Sequence, residues 1–202
     1  MKLFSSLNLA LVILLSSGAV AQAEPFTYGP DTCDFKITYP EKPFIEEKCV
    51  GEDKKECTEV VTYTKVISVD SSVNVRITCS EKPAKELERY SLEVMQETLK
   101  QMLAEANLSS DAIETSDENG IKSAAAVSAG TRADRDIIYT GQIWVGKKSL
   151  FTLEADMTGA QHDEADKLFS EILKSMLPKD SQPKAKADKP KTDKPATDKK
   201  EE

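Results

Sequence analysis

Four cysteines, Cys33, Cys49, Cys57 and Cys79, are the residues in this chain of 202 residues that could most readily do chemistry. Their spacing lacks the close C-x-x-C pair that is typical of zinc sites and of dithiol oxidoreductases. We therefore expect neither a metal site nor a redox motif. An even number of cysteines in a chain with an export signal, described below, indicates two structural disulfides.

Strand parity favours the pairing Cys33–Cys79 with Cys49–Cys57. Cys33 and Cys79 each share a face with the apolar residues of a predicted strand, so both should point toward the core. A tight turn at Asp70-Ser71 would place Cys57 about 17 Å along the strand from Cys79, beyond the limit of roughly 7 Å between the Cα atoms of bonded cysteines. If the first strand lies antiparallel beside the third, the start of one meets the end of the other, which brings Cys33 to Cys79. The pairing Cys33–Cys57 with Cys49–Cys79 remains the alternative.

Other candidates for catalysis are sparse. The single histidine, His162, stands at a predicted helix start, which favours a surface or capping role over that of a general base. The segment 117–120 has part of a calcium-loop pattern but lacks the D-x-[DN]-x-[DN]-G order, so we interpret it as a turn. Arg132 and Arg135 stand in a charged loop, where pairing with local aspartates is expected. We predict no catalytic residue, no metal ligand and no cofactor.

A candidate partner-binding face is predicted on the last hairpin. A three-residue loop at 146–148 would place Trp144 opposite Leu150, with both side chains on the outward face. An exposed Trp–Leu pair among polar residues has the composition of a binding hot spot. The alternative is that a helix, or the lead-in containing Phe26 and Tyr28, covers this face.

Hydrophobic periodicity predicts the elements that position these residues. Alternating apolar residues indicate strands at 33–39, 59–69, 72–80, 121–129, 137–145 and 149–157. Spacings of three and four predict a helix of about six turns that opens at Pro83 and a second helix over 163–177. In the last hairpin the apolar faces coincide if Ile143 lies opposite Phe151. The expected fold class is α+β, with an antiparallel sheet of about five to seven strands packed with two main helices.

The amino terminus has the pattern of a secretory signal peptide over residues 1–23. Lys2 is followed by an apolar run at 7–15 and by Ala21-Gln22-Ala23, which predicts cleavage after Ala23. The apolar run is too short to span a membrane. Glu24, rather than a cysteine, at the mature start argues against a lipid anchor, so we expect a soluble periplasmic or extracellular protein.

The rest of the chain divides into one domain and a tail. Residues 24–177 have the length of a single domain. Residues 178–202 are mostly Lys, Asp, Pro, Ala and Thr, and such a segment is predicted to be disordered because it cannot bury apolar surface. The formal net charge of −8 makes the protein acidic and argues against nucleic-acid or anionic membrane partners.

The opening strand and turn, Phe35-Lys36-Ile37-Thr38-Tyr39-Pro40, together with the order of elements, resemble the PsbP-like and DcrB-like group of exported α/β proteins. The resemblance covers most of residues 33–177 and implies a PsbP-like sandwich. The chain departs from the group in its four cysteines and in an aromatic residue that is shifted to Phe44. Members of the group are mostly non-catalytic accessory or assembly factors.

We therefore expect an exported, non-catalytic accessory or binding protein that contacts a protein partner in the periplasm or envelope. One alternative is a carboxylate-dependent hydrolase, which a cleft lined by convergent carboxylates would indicate. A secreted effector or inhibitor is the other alternative. The oligomeric state is left open.

Overall fold

The computed structural model describes residues 23–50, 56–110 and 112–181. The predicted signal peptide, apart from Ala23, and the tail from residue 182 onward lie outside the described residues. Strands dominate the described part of the chain. They are β1 (Phe26–Tyr28), β2 (Phe35–Tyr39), β3 (Phe44–Val50), β4 (Glu56–Val66), β5 (Ser72–Glu81), β6 (Ile113–Glu118), β7 (Ile121–Arg132), β8 (Arg135–Val145), β9 (Ser149–Thr158) and β10 (Leu177–Pro178).

These strands form two antiparallel sheets. The main sheet has seven strands in the order β3-β4-β5-β9-β8-β7-β6, and a small sheet has the order β1-β2-β10. Three helices accompany them: α1 (Ala84–Leu87), α2 (Leu92–Glu105) and α3 (Asp163–Ser175). The fold is thus α+β and rich in strands, as the periodicity predicted, but the first strand lies in a second layer rather than beside the third.

The helix predicted from Pro83 is interrupted after its first turn. Pro83 precedes α1, which ends at Leu87, and the hydroxyl of Ser91 then accepts a hydrogen bond of 3.3 Å from the backbone N–H of Val94 to begin α2. A serine at this position stabilises a new helix start. His162 has the corresponding role at α3, as predicted, because its Nδ1 accepts a bond of 3.3 Å from the backbone N–H of Glu164.

The main sheet is buried on opposite faces in its two halves. On the first face, α3 and the small sheet pack over β5 and β9. On the second face, α2 packs over β6, β7 and β8. The largest fully buried side chains include Phe35, Ile37, Ile77, Phe151 and Leu153 in the first core and Met95, Leu99, Leu103, Ile137 and Ile143 in the second. The described residues of each half-sheet are therefore less covered on the face away from their helix, although Trp144 of β8 still packs against the first core.

This two-sided burial explains why the predicted register of the last hairpin is wrong by one residue. Trp144, rather than Ile143, lies opposite Phe151. The backbone N–H of Gly146 donates to the carbonyl of Ser149 at 2.9 Å, so the turn has two residues between these partners instead of three. The apolar side chains of β8 face α2 while those of β9 face α3, so the two apolar faces need not coincide.

The hairpin of β4 and β5 also differs from its prediction. Cys79 lies opposite Glu59 rather than Thr62, because the connection is a five-residue loop at 67–71 and not a tight turn. β3, which has three consecutive charged residues at its centre, and β6, which is mostly polar and charged, were not predicted as strands. At the carboxyl end α3 stops at Ser175, and the chain stays on the domain as β10, beyond which Lys179 N–H donates to the Asp34 carbonyl at 2.8 Å.

Asp34 joins the small sheet to the last hairpin of the main sheet. Its carboxylate accepts hydrogen bonds from the backbone N–H of Lys148 at 2.8 Å and of Ser149 at 3.0 Å, and from the Ser149 hydroxyl at 3.0 Å. We expect Asp34→Ala to lower the free energy of unfolding by about 3 kcal/mol, because these donors lose a charged acceptor in a partly buried site. Chemical denaturation measures the loss. Asp31→Ala, at an exposed side chain, is the control and should change stability by less than about 0.5 kcal/mol; equal losses would contradict the assignment.

Candidate functional site

Both disulfides have the predicted pairing. Cys33–Cys79 joins the start of the small sheet to β5, with a Cα–Cα distance of 5.9 Å, and its cysteines are 1% and 7% exposed. Cys49–Cys57 joins directly opposite positions of β3 and β4, with a Cα–Cα distance of 3.9 Å. Two disulfides fit an oxidising compartment. In the described residues, no helix is both long and apolar enough to cross a membrane.

The predicted Trp144–Leu150 binding face is wrong. Because Trp144 lies opposite Phe151 and Leu150 lies opposite Val145, the two side chains are on opposite faces of the sheet. Trp144 is partly buried against the first core, where its ring meets Phe35 edge-on at 5.9 Å between centroids. Leu150 is partly buried against the second core. The predicted alternative, that another part of the chain covers this face, is closer to the structure, but the aromatic contact comes from Phe35 of β2, which lies outside the lead-in.

A polar cleft lies instead where α2 ends above the uncovered floor of the main sheet. It has a volume of about 400 Å³. Its side chains come from α2 and five strands: Thr62, Thr64, Asn74, Arg76, Met102, Glu105, Arg132, Tyr139, Glu154 and Asp156 are among them. The cleft exists because α2 packs closely on one half of this face. A Cβ on Gly141 of β8 would lie only 3.1 Å from Leu99 Cδ2 of α2.

Asp156 organises one side of the polar cleft. Its Oδ2 accepts hydrogen bonds from Asn74 Nδ2 at 2.9 Å and from the Thr158 hydroxyl at 3.1 Å, and its Oδ1 accepts from Arg132 at 3.2 Å. Arg132 was expected to pair with local aspartates in a loop, but it lies at the end of β7. The charged loop predicted at 130–136 is a short turn at Ala133 and Asp134 between β7 and β8.

Glu154 organises the other side of the polar cleft. It accepts a hydrogen bond of 3.2 Å from the Tyr139 hydroxyl and forms an ion pair of 3.6 Å with Arg76. Burial, reinforced by the negative charge of Glu154, raises the pKa of Tyr139 above its ordinary value of about 10. The phenol therefore stays protonated and donates to Glu154 throughout the physiological pH range.

This arrangement suits recognition more than acid–base chemistry. The carboxylates of Asp156 and Glu154 already hold donors, whereas the side chains of Arg76 and Arg132 remain 50% and 44% exposed and keep N–H groups for a ligand. Periodicity could not reveal the cleft, because these polar residues are the ordinary outward residues of five separate strands. Their sequence signal is the presence of charged residues within predicted strands, such as Arg76 and Glu154.

Two further groups of residues contain side chains of the kinds that bind metals. Within the segment 117–120, Asp117 and Glu118 end β6, and Asn119 and Gly120 form the predicted turn to β7, both at positive φ. Glu47, Cys49 and Cys57 present three ligand atoms that lie within 4.8 Å of one another, although the two cysteines are joined to each other.

Four of the five tyrosines have a pKa raised mainly by burial: Tyr28, Tyr39, Tyr63 and Tyr139. For Tyr63 the pKa rises to about 12, with a further contribution from Glu41. Below pH 10 these phenols are protonated in both states, so their contribution to stability is complete. Above pH 10 the unfolded phenols ionise first, and stability falls. We expect the phenolate absorbance of four tyrosines to appear only together with alkaline unfolding; their ionisation near pH 10 in the folded chain would contradict this.

No protein family matches the chain, and no curated protein matches it either. A crystal structure of a protein from Bacteroides thetaiotaomicron VPI-5482, at 1.50 Å resolution, is similar over 78% of this chain, with 15% sequence identity and a TM-score of 0.35. The chain spans about half the length of that protein, of which 48% is covered.

Proposed function

We propose that the protein is an exported, non-catalytic accessory or binding protein that holds a protein partner through the polar cleft. The observation that carries this proposal is the convergence of half-exposed Arg76 and Arg132 beside Tyr139, each fixed by a carboxylate of β9. Arginine and tyrosine are enriched among the residues that dominate binding energy at protein interfaces. Because carboxylates hold these side chains in place, less conformational entropy is lost on binding.

The same cleft is the strongest support for a carboxylate-dependent hydrolase, since Glu105, Glu154 and Asp156 all line it. Binding is favoured because the oxygens of Glu154 and Asp156 already accept hydrogen bonds within the protein. A hydrolase would lose turnover in Glu154→Gln while it kept its substrate affinity. A binding protein has no turnover to lose. In that case Glu154→Gln should lower the affinity for the partner, because Glu154 would no longer hold Arg76 in place.

The proposed location is the periplasm or the extracellular space, and the proposed architecture is that of the PsbP-like and DcrB-like group. The two disulfides support export, because such bonds persist in oxidising compartments. The order of strands and helices supports the architecture. The proposed export includes cleavage of the signal peptide after Ala23.

Affinity capture from the envelope fraction, with the immobilised chain lacking residues 1–23, tests the function. The variant Arg76→Ala/Arg132→Ala removes two half-exposed cations of the cleft. The control variant Lys100→Ala/Lys167→Ala also removes two exposed cations, each from a surface ion pair outside the cleft. We expect the unaltered chain and the control to retain one partner, and the cleft variant to retain it at least about 10-fold less. Equal retention by both variants, or no partner at all, would contradict the proposal.

A further inference from the structure

Glu47, Cys49 and Cys57 lie at the outer edge of the main sheet, on β3 and β4. Each offers one ligand atom, and these atoms lie within 4.8 Å of one another. In the oxidised protein the two sulfurs are bonded and bind no cation. We propose that reduction of Cys49–Cys57 converts these three residues into a site for a thiophilic divalent cation such as Zn²⁺. This site is separate from the polar cleft and does not depend on the function proposed for it.

The register of β3 and β4 keeps the two thiols together without the disulfide. Cys49 and Cys57 are directly opposite, and the ladder continues through Lys48 opposite Thr58 and on to Phe44 opposite Thr62. In a tetrahedral zinc site with Zn–S bonds of about 2.3 Å, the two sulfurs lie about 3.8 Å apart. Facing side chains on neighbouring strands can span that distance. Strand register thus supplies the close cysteine pair that the sequence spacing lacks.

Glu47 offers a carboxylate ligand on the same face, whereas Glu59 already accepts a hydrogen bond of 2.8 Å from the Tyr28 hydroxyl. Glu47 lies opposite Glu59 in the ladder, so both side chains share the face of Cys49 and Cys57. Like charges directly opposite one another are unfavourable in a sheet, and a divalent cation would relieve this repulsion. The side chain of the neighbouring Lys48 lies on the other face of the strand and pairs with Glu46 at 2.8 Å. Its ammonium group therefore does not occupy the proposed cation site.

The reducing step is selective because the two disulfides differ in burial. Cys57 is exposed, whereas Cys33 and Cys79 are 1% and 7% exposed. One thiol of a dithiol reductant attacks one sulfur of Cys49–Cys57 to give a mixed disulfide and one free cysteine thiol. The second thiol of the reductant then attacks the mixed disulfide and releases the other cysteine thiol. Two electrons pass to the protein, which is left with two thiols, and the reductant leaves as a disulfide. The cation then binds both sulfurs as thiolates, with release of two protons.

Cobalt titration of the full chain lacking the signal segment tests the proposal. The protein is reduced by a phosphine under conditions in which alkylation shows Cys33–Cys79 to be intact, and the phosphine is then removed without air. We expect one Co²⁺ per chain, with thiolate-to-cobalt charge-transfer absorption that Zn²⁺ abolishes and that oxidised protein never shows. Absence of that absorption in reduced protein, or loss of the folded circular dichroism spectrum on reduction, would overturn the proposal.

Two substitutions locate the ligands. Cys49→Ser/Cys57→Ser keeps the buried disulfide and should lose the charge-transfer absorption entirely. Glu47→Gln should weaken Co²⁺ binding at least about 10-fold, whereas Glu46→Gln, one residue away on the opposite face, should leave it unchanged. Persistence of the absorption in the cysteine variant, or equal weakening by the two glutamate variants, would also overturn the proposal.

Discussion

Removal of the buried disulfide by Cys33→Ala/Cys79→Ala is expected to lower the free energy of unfolding by about 4 kcal/mol. The two cysteines are 46 residues apart, so their bond restrains a long loop in the unfolded chain. The bond also joins the small sheet to the main sheet within the first core. Denaturation in urea, followed by circular dichroism, measures the change.

The second disulfide is the matched control. Cys49 and Cys57 are only 8 residues apart, so Cys49→Ala/Cys57→Ala should cost no more than about 2.5 kcal/mol. The β3–β4 ladder also holds these strands together without the bond. A larger loss from this pair than from Cys33 and Cys79 would show that the layers do not depend on the buried bond.

Substitution of Gly159 by alanine is expected to lower the free energy of unfolding by at least about 3 kcal/mol. Gly159 follows β9 with φ at 105°, and an added Cβ would lie 1.6 Å from the carbonyl oxygen of Asp70. That oxygen belongs to the backbone of the β4–β5 loop, so it cannot move aside as a flexible side chain would. Chemical denaturation measures this loss as well.

Gly120→Ala separates backbone strain from this steric overlap. Gly120 also has a positive φ, at 76°, but an added Cβ would meet nothing within 4 Å. Its substitution should cost about 1 kcal/mol, the strain alone. If both alanine variants lost the same stability, the close approach of Asp70 to Gly159 would be disproved.

The disulfides could be predicted because alternation within a strand shows which face a cysteine side chain occupies, even when the predicted register between strands is wrong. Cys33 and Cys79 alternate with buried residues, and that fact holds whether Cys79 lies opposite Thr62 or opposite Glu59. The predicted separation of about 17 Å along the strand between Cys57 and Cys79 was wrong, because a five-residue loop rather than a tight turn joins β4 and β5. In the structure Cys57 is two residues from Glu59, the partner of Cys79, so the correct pairing rested on parity alone.

The hairpin register and the polar cleft could not be predicted, for a common reason. A sheet that is buried on one side has apolar faces that coincide across its strands, whereas this sheet has its two cores on opposite sides. Ile143 and Phe151 are both buried, yet they point in opposite directions. The uncovered floor beside α2 is a consequence of that arrangement, and alternation within a single strand carries no information about it.

Site-specific photocrosslinking tests the central claim, that the polar cleft holds a protein partner, most directly. A benzophenone side chain replaces Thr64, which is exposed in the cleft, or Val127, which is 64% exposed on the opposite face of the sheet. Irradiation in the native envelope should join one partner protein to the chain from position 64 and none from position 127. A partner joined only from position 127, or no adduct at position 64, would contradict the claim.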